Sequence, residues 1–194
     1  MDTNGYLHFR KDLKKPIERR VQGFHDLRLD GIGDLIHRAR GATVFDIGCN
    51  RGLVGFEFGA NGATRVMGCD VDEPCIWVCR ELFADLRHVP HRFEVVDLTG
   101  GVEAMRTAFG KDAELKHDIV LMLATYHKLK RIIPSRELSE MVTWFGTKTT
   151  RYFGWRGYEE EIPILDKDLG RAGLTRIHTS LISDIQPAAI WARR

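Results

Sequence analysis

The sequence predicts an α/β domain with a largely parallel sheet, and three observations predict it. Short apolar runs of strand length alternate with stretches whose apolar residues recur every three or four positions. The run Ile119-Val120-Leu121-Met122-Leu123 is apolar throughout, as a strand buried on both faces must be. The last two strand-like runs have no helical pattern between them, which predicts an antiparallel finish.

Taken in order, the first strand is Thr43 to Ile47, bounded by Gly41 and Gly48. Further strands are expected at Arg65 to Cys69, Arg92 to Val96, Asp118 to Leu123 and Thr147 to Phe153. Thr175 to Leu181 and Pro187 to Ala192 close the set across a turn at Ser183-Asp184. Helices are expected at Gly52 to Ala60 and at Asp166 to Ala172, and after Glu73-Pro74, where proline suits the first turn. Another follows Pro134, with Ser135 as its N-cap and Gly146 as its stop. A basic amphipathic stretch, Pro16 to Arg38, precedes the first strand. No linker or repeat divides the chain, so residues 1–194 read as one domain: a helical cap over 1–41 and a core over 42–194.

Composition narrows the function. The 194 residues carry 29 basic and 27 acidic side chains, so affinity for an anionic partner must come from local patches rather than net charge. No apolar stretch approaches the roughly 20 residues of a membrane span, and Met1 to Lys15 is too polar for a secretory signal. Cys49, Cys69, Cys75 and Cys79 lack the spacing of zinc knuckles, so no metal site is expected. They read as reduced thiols of a cytoplasmic protein.

In an open parallel sheet, ligands bind beyond the carboxyl ends of the strands. Asp46-Ile47-Gly48-Cys49-Asn50-Arg51-Gly52 therefore draws the eye. The dinucleotide fingerprint needs glycine at three places that here hold Gly48, Asn50 and Leu53, and no Gly-Lys-Ser/Thr follows, so a phosphate tail is a poor match. What remains is Asp46, a glycine turn, Asp70 at the end of the second strand and Asp97 at the end of the third. A carboxylate placed as Asp70 is can accept both hydrogen bonds of a ribose diol, and Asp97 can accept from an adenine amino group.

These runs, Val44 to Gly52, Gly68-Cys69-Asp70 and Val96-Asp97-Leu98, resemble the class I S-adenosylmethionine-dependent methyltransferases, and the resemblance extends from about Ala42 to the terminus. It implies a three-layer Rossmann-like fold with a seven-stranded sheet. S-adenosyl-L-methionine is the cofactor implied, its methionine part wrapped by Gly48, Cys49, Asn50 and Gly52, with Asp46 near the amino group. Asp70 would hold the ribose, Asp97 and Leu98 would frame the adenine, and Val71 and Leu123 are further cofactor-binding candidates. Asn50 stands where the family's commonest loop has glycine, and asparagine tolerates the left-handed conformation that turn needs.

The acceptor end follows the fourth strand at Leu123-Ala124-Thr125-Tyr126-His127-Lys128. The Asp/Asn-Pro-Pro-aromatic motif of amino methylation, a Pro-Cys nucleophile and a catechol-type acidic cluster are absent from the sequence. His127 suits a general base at neutral pH, which would make the reaction an O-methylation; lining the pocket is its other reading. Lys128, Lys130, Arg131, Arg151 and Arg156, with Lys14, Lys15, Arg19 and Arg20, read first as a solvated face, or else as a site for a small anionic acceptor or RNA. Trp155, Tyr158, Phe9 or Phe24 could stack on bases. Glu159-Glu160-Glu161 reads first as an exposed run, or else as a run with one carboxylate turned into the acceptor site. An RNA-end methyltransferase and a catalytically silent interaction module remain as alternatives.

Overall fold

The computed structural model describes residues 29–180 and 186–194. Its elements are α1 (Gly33–Ile36), β1 (Thr43–Ile47), α2 (Leu53–Ala60), β2 (Arg65–Asp70), α3 (Glu73–Phe83), β3 (His91–Val95), α4 (Gly101–Phe109) and β4 (His117–Leu123). They continue with α5 (Tyr126–Leu129), α6 (Ser135–Lys148), β5 (Thr149–Arg156), α7 (Ile162–Arg171), β6 (Leu174–Ser180) and β7 (Ala188–Arg193). One seven-stranded sheet has the order β3-β2-β1-β4-β5-β7-β6. Only β7 runs antiparallel to its neighbours.

Alternation along each strand sends side chains to two buried faces. Phe45, Ile47, Val120, Met122, Phe153 and Trp155 pack beneath α4, α6 and α7. Val44, Ile119, Leu121 and Ile190 pack against α1, α2 and α3 on the other side. Covering both faces explains why the central strands are apolar without polar alternation. Ile32, Leu35 and Ala39 are buried in the second cluster, so this part of the 1–41 stretch belongs to a helical layer against the sheet. The rest of that stretch, with Lys14, Lys15, Arg19, Arg20, Phe9 and Phe24, lies outside the described residues, as do Leu181 and the Ser183-Asp184 turn.

Several boundaries differ from expectation, and two of them concern glycine. α6 runs through Gly146 to Lys148 instead of stopping, because a Cβ at Gly146 would stand 2.6 Å from Ala172 Cβ. This glycine serves the contact with the end of α7. The predicted strand start at Thr147 is thus helical, and Thr149 Oγ1 closes the helix by donating to Phe145 O at 3.0 Å. β5 then continues past Phe153 to Arg156, because Leu35 and Leu121 fill the space beside Gly154. Ser135 is the first residue of α6 and Pro134 its N-cap. α7 starts at Ile162, with Pro163 in its first turn, and α4 was hidden behind the breaker signal of Gly100-Gly101.

At the start of β4, His117 is buried among Phe45 and its neighbours, and its Nδ1 has no hydrogen-bond partner among the described residues. Burial, helped by the Arg65 charge, pushes its pKa down from 6.5 to about 4. The unfolded chain takes up this proton as pH falls through 6.5, whereas the folded chain refuses it until about 4. The resulting destabilisation is therefore absent above pH 6.5 and grows on acidification, reaching about 2 kcal/mol at pH 5. Melting temperatures measured from pH 7 to 5 should fall less steeply for His117→Phe than for the wild type. Parallel slopes would show that His117 is not held neutral.

Candidate functional site

The carboxyl ends of β1 to β5 open into a cleft of about 830 Å³. The turn after β1 is held by its backbone: Gly48 N and Cys49 N both donate to Cys69 O, at 2.8 and 2.9 Å. Gly48 has φ 73°, and a Cβ there would fall 2.1 Å from Thr125 Oγ1, so glycine is required on two counts. Asn50 adopts φ 50°, the left-handed state expected of it. Its side chain stabilises the turn by accepting from Arg51 N at 2.8 Å.

Asp70, at the end of β2, locks this turn to its own strand. One carboxylate oxygen accepts from Asn50 N at 2.8 Å, the other from Asp72 N at 3.1 Å. Two backbone donors thus fix the carboxylate plane at the cleft wall. Asp97 caps the turn after β3, its Oδ1 accepting from Thr99 N at 2.9 Å and Thr99 Oγ1 at 2.7 Å. The Thr99 N–H foremost, with its hydroxyl, holds the Asp97 carboxyl below the usual carboxylate range. Asp46 is 3% exposed yet borders the same cleft.

Asp46, Gly48, Cys49, Asn50, Asp70, Val71, Asp97, Leu98 and Leu123 are brought together around this one cleft. Gly52 is not among its lining; its φ is 77°, and a Cβ there would meet Cys79 Sγ at 2.9 Å, so it serves the packing of α2 on α3. His127 is also outside the lining. Its ring packs edge-on against Tyr158 with centroids 5.1 Å apart, and its Nδ1 has no partner among the described residues. Burial first, then Lys128 and Arg131, lowers its pKa and keeps the imidazole neutral.

Of the predicted acceptor end, Thr125 and Lys128 reach the lining, through a turn that the sequence did not announce. Ala124 takes a left-handed φ of 53°, anchored by Ala124 N donating to Arg156 O at 2.9 Å, and this turn carries Thr125 and Lys128 to the cleft. Arg156 also lines it while only 4% exposed, and its guanidinium donates to Asp30 O. It therefore does not belong to a solvated basic face. Sequence reasoning ended β5 three residues early and so left Arg156 in a loop. Trp155 is fully buried and has no face for stacking, and Glu161 is buried rather than part of an exposed run. Burial raises the Glu161 pKa against the opposing hydrogen bond from Tyr158 N.

All four cysteines are buried free thiols. Burial pushes the Cys69 thiol up to about 12, and burial with Asp72 raises Cys75 to about 11, so neither is a ready nucleophile. No cluster of metal-binding side chains occurs among the described residues, and none of their helices is long and apolar enough to cross a membrane.

No family model and no curated protein matches the sequence. Solved structures do match. Magnesium protoporphyrin IX methyltransferase from Synechocystis PCC 6803, solved with bound S-adenosylmethionine, superposes with a TM-score of 0.63 at 17% identity, covering 99% of this chain and 92% of the other. The chain has the class I methyltransferase fold. Ribosomal protein L11 methylase from Lactobacillus delbrueckii subsp. bulgaricus shares it at TM-score 0.60 and 15% identity, over 87% of this chain and 77% of its own. The bifunctional kinase-methyltransferase WbdD matches at 0.58 and 20%, over 86% of this chain but only 38% of its own length. In this methyltransferase fold the cleft lies where the strand order reverses between β1 and β4, the place where open α/β sheets take their ligands.

Proposed function

We propose that the chain is an S-adenosylmethionine-dependent methyltransferase that methylates an oxygen of a small acceptor. The observation that carries this reading is the convergence of Asp46, Asp70 and Asp97, from three successive strands, on one cleft beside a glycine turn. The cleft's volume of about 830 Å³ suits a nucleoside-sized ligand with an acceptor beside it. The donor set also fits: a buried carboxylate for an ammonium, a fixed carboxylate for a diol, and a capped carboxylate at the base end, with no lysine-bearing phosphate loop. When bound, S-adenosylmethionine supplies a methyl group on a sulfonium, which needs an acceptor held in line more than it needs a covalent intermediate.

Within this reading, Asp46 pairs with the amino group, Gly48, Cys49 and Asn50 border the methionine part, Asp70 with Val71 takes the ribose, Asp97 with Leu98 the adenine, and Leu123 the floor. His127 is the proposed base for an acceptor hydroxyl. Its neutral imidazole is the form a base requires, and the role needs the ring to turn from Tyr158 toward Lys128 and the cleft. We expect His127→Ala to reduce turnover about a hundredfold while leaving S-adenosylmethionine affinity unchanged. Full turnover in that variant would leave His127 as a wall residue only. Calorimetric titration with S-adenosylmethionine and its demethylated product tests the whole reading, and absence of heat with both would overturn it.

A further inference from the structure

The cleft is electrostatically divided. Asp46, Asp70 and Asp97 occupy the half formed by β1 to β3, whereas Lys128 and Arg156 occupy the half formed by the ends of β4 and β5. The two cations are of different kinds. Lys128 is exposed at the rim, and Arg156 is 4% exposed, with its guanidinium position set by the backbone oxygen of Asp30 and its own carbonyl tied to Ala124 N. Leu123 and Arg156 stand opposite one another across β4 and β5, so both strand ends present this wall together. Apolar surface adjoins it, because Leu129 and Ile132 line the cleft and Ile132 remains 64% exposed there.

Resting on the methyltransferase reading, we infer that the β4–β5 half of the cleft is an acceptor subsite for a small amphipathic acid, with Arg156 and Lys128 holding its carboxylate or phosphate and Leu129 and Ile132 covering its apolar body. A guanidinium shielded from water attracts an anion more strongly than a rim cation does, and its fixed fork sets the anion's orientation. Lys128 adds a mobile point charge that closes over the anion from solvent. The acids of the other half repel the same anion, so the acceptor is kept out of the nucleoside half and enters in one orientation. Recognition here uses a terminal acidic group and a short apolar body, which separates it from the tracking of a long polyanion.

The test is binding, measured by calorimetry on the full chain with 1-naphthoate, 1-naphthyl phosphate and the neutral 1-naphthalenemethanol. Both anions should bind at least about tenfold more tightly than the alcohol, and the tighter anion identifies the acidic group. Lys128→Gln, an exposed change that leaves the fold intact, should cut the preference several-fold, and Arg156→Gln should abolish it, with melting temperatures showing that each variant is folded. Equal binding of acid and alcohol, or a preference unchanged in Lys128→Gln, overturns the inference. So does salt-sensitive binding of a short single-stranded RNA that is tighter than either probe and lost in the same variants, because the cations would then serve a polyanion. A parallel titration with S-adenosylmethionine separates the two readings. Cofactor binding without anion preference removes the subsite alone, whereas anion preference without cofactor binding removes its role as an acceptor site.

Discussion

Replacing Asp70 with alanine is expected to weaken S-adenosylmethionine binding about a thousandfold, while the protein stays folded. The magnitude follows from two charge-assisted hydrogen bonds to a ribose diol, each worth roughly 1.5–3 kcal/mol when one partner is ionised. A second loss adds to it, because the carboxylate also accepts from Asn50 N and Asp72 N and so holds the turn in its binding shape. Those N–H groups lie at an exposed edge and can turn to water, so the fold loses little. Asp70→Asn should fall between the two proteins, since the amide keeps one acceptor and turns a donor toward the other N–H. Calorimetry of all three proteins with the demethylated product checks the order. A loss of less than about fivefold in the alanine variant would take the ribose away from Asp70.

The sequence showed the β1–β3 half of the cleft residue by residue and the β4–β5 half only as a basic, histidine-bearing acceptor end, and the difference has a physical answer. On the β1–β3 side, Asp46, Asp70 and Asp97 each lie at or just past the end of a short apolar run, and the turn after β1 also carries a glycine and an asparagine with positive φ. Local sequence therefore reports both the strand end and the turn, as at Gly48 and Asn50. On the β4–β5 side the decisive features are long-range. The left-handed Ala124 has no glycine to announce it, and it is held by Arg156 O from the neighbouring strand. Gly154 and Gly146 look like breaks in a one-dimensional reading. In three dimensions they are places where Leu35 and Leu121, and Ala172, approach the backbone too closely for a side chain. Glu161 was misread for a similar reason, since three consecutive acids suggest solvent, yet the last is drawn inward to accept from Tyr158 N. His127 was placed correctly after the fourth strand, but sequence position does not fix ring direction, and Tyr158, about thirty residues away, holds the ring against itself.

The same close approach makes Gly48 the most sensitive single position of the turn. Gly48→Ala should cost about 4 kcal/mol of stability and abolish cofactor binding at ordinary concentrations. About 1–2 kcal/mol of this is the left-handed conformation forced on a residue with a Cβ, and the remainder is overpacking against Thr125. The overlap is severe: the added Cβ would lie 2.1 Å from Thr125 Oγ1 and 2.9 Å from its Cγ2. Thr125 cannot simply step aside, because its single Oγ1–H is shared between Ile47 O at 3.2 Å and Leu123 O at 3.1 Å, linking the ends of β1 and β4. A double-mutant cycle separates the two causes. Thr125→Ala on its own should lose about 1 kcal/mol with those hydrogen bonds, yet in the Gly48→Ala background it should restore stability by removing the atoms in conflict. The backbone strain would persist in the double variant, leaving it below wild type by about 2 kcal/mol. Denaturant unfolding of the four proteins gives the coupling directly. Additive losses would mean that the turn relaxes away from Thr125, and that the junction of β1 with β4 is not the rigid floor on which the cleft is built.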